Sequence, residues 1–189
     1  FHGKGTRDAV RVWIAGCATG EQAYSVAILL TEHAATLPHP PSLQMFATDL
    51  EETGYVQGRD ALYPASSVRE LTAERLGRFF FREREGYRVA PPLREAVLFA
   101  QHDVLRDAPF ARLDLVSCRT LLDGVPAEAR ARVMGTFHDA LVPGGLLFLG
   151  AADDVDGDAR FVRAAGEHPV YRRAGAPPRR ITLDDGSRA

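Results

Sequence analysis

The chain has 189 residues, 46% of them hydrophobic and 25% charged, with a formal net charge of −2 at pH 7. That supplies apolar material for one good core and is short for two independent domains. The near-neutral balance, with both signs interspersed, excludes a basic face for nucleic acid or an anionic membrane, and every apolar stretch breaks well before the ~20 residues that span a bilayer.

Residues 10–15 (VRVWIA) are short, apolar and rich in β-branched and aromatic types, which predicts a strand buried on both faces. The run Gly16-Cys17-Ala18-Thr19-Gly20 follows as a flexible turn, and residues 21–33 then place Tyr24, Ala27, Ile28 and Leu30 near helical spacing. Glu21 stands in the first turn of that helix, where the positive end of the dipole favours an acid. A loop with Pro38, Pro40 and Pro41 leads to a second strand at 43–48 that ends on Asp49, and residues 51–57 suit a short helix.

From 63 to 101 the character changes. Residues 72–81 (TAERLGRFFF) read as helical, while 87–89 and 97–100 read as short strands around Pro91-Pro92, together a helix and hairpin insertion. Phe79, Phe80 and Phe81 are expected to seat this insertion on the main sheet, and Arg82, Arg84 and Arg88 to form a solvated face.

The main pattern resumes with a strand at 113–118 (LDLVSC) and a helix at 127–140 whose Ala131, Met134 and Phe137 share a face with Leu141. Val142-Pro143-Gly144-Gly145 is expected to stop that helix before the buried strand 146–150, and 170–172 to add an edge strand. Residues 1–174 are thus read as one domain and 175–189, rich in Pro, Arg, Asp and Gly, as a disordered tail.

Strands alternating with helices argue for an α/β fold with a doubly wound, mostly parallel sheet. In such sheets ligands sit beyond the carboxyl ends of the strands, here residues 16–21, Asp49, 101–104 and 118–120. Cys17 and Cys118 each follow a predicted strand with no second ligand at metal spacing, and His102 and His138 read as polar surface or capping groups. No metal site is expected, and a reducing cytoplasmic compartment fits. The chain opens without methionine close to its first strand, as a piece of a longer protein would.

A glycine turn between the first strand and helix lets a ligand approach the backbone, although a tight turn with no ligand has the same sequence. Asp49 can accept hydrogen bonds from both hydroxyls of a ribose; a surface or capping aspartate is the alternative. Together they point to an adenosine-containing ligand. Glu21 decides between two such ligands, because its carboxylate would repel a pyrophosphate on the helix N-terminus and suits the cationic amino group of a methionine moiety.

The strings RVWIAGCATGEQAYS (11–25), ATD (47–49), HDVLRDAPF (102–110) and LDLVSCR (113–119), in this order, resemble the chemoreceptor glutamate methyltransferase (CheR) family, closest to the forms fused to a methylesterase domain. The resemblance spans residues 11–173 and implies a class I S-adenosylmethionine-dependent methyltransferase fold, Rossmann-like, releasing S-adenosylhomocysteine. It implies that Ala15, Gly16, Cys17, Ala18, Thr19, Gly20 and Glu21 cradle the methionine end of the cofactor, that Asp49 with Leu50 takes the ribose, and that Asp103 and Val104 border the adenine. Arg119 and Thr120 would also contact the cofactor, with Arg119 near the methyl-transfer site as the catalytic cation, and the insertion matches a subdomain that in some members docks onto the receptor tail.

The implied reaction is in-line attack by a glutamate carboxylate of a chemoreceptor, or another signalling protein, on the sulfonium methyl, in a protein that can also carry fused methylesterase and sensory domains. The alternative for Arg119 is a strand-end cation paired with a nearby acid such as Asp49 or Asp114. Three positions depart from the family. Thr120 stands for its Asn, Gly124 for its Tyr, and the 189 residues do not include the helical region that in the family supplies an arginine and a threonine. These departures keep two alternatives open: a cofactor-binding or partner-binding module with weakened catalysis, and a small-molecule methyltransferase.

Overall fold

The computed structural model describes residues 3–123, 125–151, 155 and 158–175. Gly124 and residues 176–189 of the expected tail lie outside them. In chain order the elements are β1 (Ala9–Ala15), α1 (Glu21–Ala34), β2 (Ser42–Asp49), α2 (Glu52–Asp60), β3 (Leu62–Tyr63), α3 (Ala65–Val68), α4 (Ala73–Phe79), β4 (Phe80–Arg82), β5 (Tyr87–Val89), α5 (Pro91–Glu95), β6 (Val97–Gln101), β7 (Leu113–Cys118), α6 (Ala127–Ala140), β8 (Leu141–Leu149), β9 (Phe161–Arg163) and β10 (Val170–Arg173).

Seven strands form the main sheet in the order β6-β2-β1-β7-β8-β10-β9. The first five run parallel, and β10 and β9 close one side antiparallel. The doubly wound, mostly parallel sheet read from the sequence is therefore the fold. Because β1 is central and parallel, both its faces must be covered, which is why VRVWIA carries no polar alternation beyond Arg11. Val10, Val12 and Ile14 face one core with Met45, Ala47, Val97 and Phe99 under α1 and the insertion. Trp13 and Ala15 face the other, with Val116, Cys118, Leu147 and Leu149 under α6. The Trp13 ring meets Phe137 edge-on at 5.5 Å, and its buried Nε1 donates to Thr48 Oγ1 at 2.8 Å, so the indole packs without an unsatisfied donor.

The insertion is a three-stranded antiparallel sheet, β3-β5-β4, with α3 and α4. Residues 97–100, expected as a second arm of its hairpin, are instead β6, which pairs parallel with β2 in the main sheet. The arm that pairs with β5 is β4, formed where the predicted helix 72–81 stops early at Phe79. Pro91 and Pro92 open α5 rather than a turn, since proline suits the first helical turn, where no N–H is needed. Phe79 and Phe80 are buried in the first core, but Phe81 is 57% exposed, because alternation along β4 turns it outward. Arg75 ties the insertion to α1 with a two-pronged contact to Glu32, at 2.8 and 2.7 Å. Arg88 is likewise not simply solvated: it holds both Glu83 and Asp60.

On the other half, the buried stripe of α6 is Val133, Met134, Phe137 and Ala140, while Ala131 is exposed. Val142-Pro143-Gly144-Gly145 does not separate α6 from the strand but lies inside β8. Leu113 faces Leu141 and Leu115 faces Leu146, so the extra residues bulge out of the ladder, where a proline without N–H is tolerated. Residues 170–172 belong to β10, which is interior, and the edge is β9, a strand the sequence reading does not contain. No helix among the described residues is long and apolar enough to cross a membrane.

Gly58, in α2, touches β6 so closely that a Cβ there would lie 2.3 Å from Phe99 Cε1. Phe99 is 4% exposed and cannot swing away. Gly58→Ala is therefore expected to destabilise by about 1–3 kcal/mol, against the ~1 kcal/mol that alanine ordinarily gains over glycine in a helix. A lower urea midpoint at unchanged slope reads this out; a raised midpoint would contradict the packing.

Candidate functional site

The build-up of the sheet changes direction at β1: β2 and β6 lie on one side, β7 and β8 on the other. In doubly wound sheets the loops leaving the carboxyl ends of the strands on either side of such a point diverge, and ligands bind in the crevice between them. The segments predicted from sequence meet at this edge.

The glycine turn is shaped by three left-handed residues, with φ of 71° at Gly16, 44° at Ala18 and 92° at Gly20. Glycine adopts such angles freely, whereas Ala18 needs outside support. That support is a set of hydrogen bonds to the end of β2. Gly16 N–H and Cys17 N–H both donate to the Thr48 carbonyl at 2.9 Å, and Ala18 N–H donates to Asp49 Oδ2 at 2.8 Å. From the far side Gly54 of α2 packs on the turn, leaving only 2.8 Å between a Cβ at that position and the Ala18 carbonyl oxygen. Gly20 N–H closes the turn on the Cys17 carbonyl at 2.9 Å and its own carbonyl accepts Tyr24 N–H to begin α1.

Asp49 is half-buried, and its Oδ1 accepts Glu51 N–H at 3.0 Å. It is thus neither a plain surface group nor the N-cap of α2, which is Glu51. An ionised carboxylate has about four acceptor positions, so two backbone donors leave capacity for ligand hydroxyls. Leu50 beside it is 59% exposed. Glu21 is exposed at the start of α1 and accepts Thr19 Oγ1 through Oε2, while its Oε1 accepts nothing from a described residue. Two carboxylates therefore flank one turn.

Ala15 and Cys17 are buried, so they contribute backbone rather than side chain to the crevice; Ala18 is exposed. Burial, reinforced by the negative charge of Asp49, pushes the Cys17 thiol up to about 12, which makes it a neutral packing group and no nucleophile. His102 N–H donates to the Asp49 carbonyl at 3.1 Å and carries the next loop to the same edge. There Asp103 turns inward on its own loop, accepting Leu105 N–H at 2.9 Å, and Val104 is half-buried against the second core. The His102 ring is no surface group: it meets Trp13 edge-on at 5.2 Å and stacks with Phe110.

Arg119 and Thr120 are exposed just past β7. The Arg119 guanidinium lies over the Phe148 ring at 5.7 Å and does not pair with either proposed acid, since Asp114 holds Lys4 at 2.7 Å and Asp49 holds backbone. Gln22 Nε2 donates to the fully buried Ser117 Oγ at 2.6 Å, joining α1 to β7 below the crevice. Sequence reading missed Thr48, Gly54, Gln22 and Tyr63 as supports of the turn. Only Gly54, a glycine early in a helix, carries any signal of close contact in the sequence.

This donor and acceptor set fits a nucleoside with a cationic amino acid tail. Asp49 has free acceptor positions for a diol, Glu21 has one for an ammonium group, and the exposed Ala18 presents no bulk between them. A family model described as "CheR methyltransferase, SAM binding domain" matches residues 2–169. A Rhodobacter capsulatus protein described as an uncharacterized 104.1 kDa protein in the hypE 3' region is 36% identical over 172 residues, covering 89% of this chain and 18% of that protein. A chemotaxis protein methyltransferase of Listeria innocua is 31% identical over 150 residues, covering 79% of this chain and 56% of its own length. The chain thus spans well under two thirds of either relative. Among solved structures, the DszA carbon methyltransferase superposes with a TM-score of 0.47 at 18% identity, over 78% of this chain and 30% of that one.

Asp49→Ala removes the acceptor of two backbone donors and is expected to cost about 1–2 kcal/mol of stability without any ligand, with Asp49→Asn costing less because one oxygen remains. Thermal unfolding of the free chain measures this, and an Ala variant as stable as the parent would show that the carboxylate does not hold the turn.

Proposed function

The chain belongs to the CheR methyltransferase family as its S-adenosylmethionine-binding domain, and on that premise we propose that it methylates glutamate side chains of a chemoreceptor or related signalling protein. The observation that carries this reading is the glycine turn held by Asp49 with Glu21 at its other end, two carboxylates whose remaining acceptor positions match the ribose diol and the amino group of the cofactor. The relative from Listeria innocua is by its name a chemotaxis protein methyltransferase, which supports the receptor as acceptor.

When bound, S-adenosylmethionine supplies a methyl group on a positively charged sulfur. The residues of the chain have the task of positioning. Asp49 and Glu21 hold the two ends of the cofactor by hydrogen bonds and charge, and residues 103–104 border the base. A glutamate acceptor is already ionised at neutral pH, so no residue has to remove a proton from it. Rate then depends on alignment and on stabilising charge in a site that excludes water. Arg119 is exposed, stacked on Phe148 and without a carboxylate partner among the described residues, so its cation is available to orient the incoming carboxylate. Cys17 and Cys118 are buried thiols that form no disulfide among the described residues, which fits a reducing compartment such as the cytoplasm.

A second reading, cofactor binding without transfer, is favoured by Thr120 and Gly124, where the family's amide and phenol are replaced. Titration calorimetry is expected to give saturable binding of both S-adenosylmethionine and S-adenosylhomocysteine, and no binding of either at high micromolar concentration would refute both readings. Transfer of labelled methyl to a receptor fragment, stable in acid and released by mild base, selects the first. Arg119→Ala should lower that transfer about a hundredfold with cofactor affinity within about threefold; equal rates would remove Arg119 from the mechanism.

A further inference from the structure

The insertion reaches the glycine turn through one hydroxyl group. Tyr63, on β3, is 2% exposed, and its Oη donates to the Thr19 carbonyl at 2.8 Å. The same oxygen stands 2.8 Å from where a Cβ on Gly20 would lie, so the left-handed glycine that opens α1 is fitted against it. A carbonyl can only accept, so this contact requires the protonated phenol. Burial, followed by the proximity of Tyr24 and the Glu21 carboxylate, holds the Tyr63 hydroxyl far above its ordinary range.

Tyr63 is itself well anchored. It pairs with Tyr87 across the small sheet, and its ring meets that of Tyr24 edge-on at 6.0 Å. Tyr24 is a near twin in chemistry: buried, in the same core, its Oη donating to a backbone carbonyl, that of Gly58, at 3.0 Å. The difference lies in what each hydroxyl holds. Tyr24 ties α1 to α2, whereas Tyr63 ties the insertion to Thr19, the residue whose side chain bonds Glu21 and whose neighbour Ala18 bonds Asp49.

We propose that Tyr63 is a positioning residue for the cofactor turn, by which the insertion sets residues 18–21 before the ligand arrives. The inference rests on the S-adenosylmethionine reading above. Without the hydroxyl, the part-buried Thr19 carbonyl loses this donor and the turn samples other conformations. Apparent affinity is then divided by the fraction that remains competent.

The test compares Tyr63→Phe with Tyr24→Phe by calorimetric titration of S-adenosylhomocysteine into the 189-residue chain, alongside melting temperatures. Tyr63→Phe is expected to weaken binding about tenfold, with Tyr24→Phe within about twofold of the parent and both melting at similarly lowered temperatures. Equal losses of affinity in the two variants, or none in Tyr63→Phe, would overturn the inference while leaving the cofactor reading intact. A parent chain that binds nothing would instead refute that reading. Hydrogen exchange on the ligand-free parent keeps the question open to test if a variant does not fold: the Ala18 and Gly20 amides should be protected like those of β1, and exchange at open-loop rates would show that the turn is not set in advance.

Discussion

A single backbone amide, Ala18 N–H, donates to the carboxylate of Asp49 and thereby joins the loop leaving β1 to the end of β2. Much of the candidate site follows from that constraint. Ala18 occupies a left-handed conformation that an alanine avoids by roughly 1–2 kcal/mol, and the pull of a charged acceptor offsets that cost. With Ala18 turned this way, Gly16 and Cys17 direct their N–H groups to Thr48, and the helix behind them starts with an exposed Glu21. An acid at the end of β2 thus has two tasks, organising the turn and leaving acceptor positions toward whatever the turn receives.

The surroundings support the turn from each direction. Thr48 is held by the indole of Trp13, which is locked between the sheet and α6, so the second core reaches the site through one hydrogen bond. Gly54 brings α2 against Ala18, and Tyr63 brings the insertion against Thr19 and Gly20. The insertion is bound to the main body by apolar packing of Phe79, Phe80 and Val89 and by the Arg75 contact to Glu32. It is therefore part of the scaffold of the site as well as an appendage on its surface.

The charges at the site are arranged for holding and orienting. Cys17 is kept neutral by burial and the nearby acid, and the buried tyrosines keep their protons, so the reactive-looking groups beside the turn serve packing and hydrogen bonding. Glu21, beside the turn, and Arg119, just past β7, are both exposed.

Much of this was legible in the sequence because it is written locally. VRVWIA cannot be other than a buried strand, GCATG cannot continue it, and the acid positions Glu21 and Asp49 follow from strand and helix ends. The tertiary structure decided what depends on partners distant along the chain. Residues 97–100 look like a hairpin arm until β2 offers them a parallel edge, and VPGG reads as a break until β7 pairs on both sides of it and makes it a bulge. Tyr63, 44 residues from Thr19, is an ordinary aromatic in the sequence and becomes a support of the turn only when the insertion folds back. Local composition determined which segments are strands, helices and turns, and where acids stand at their ends. Which hydrogen bonds those ends complete was decided by packing, because each needs a donor and an acceptor that only the folded chain brings within 3 Å of one another.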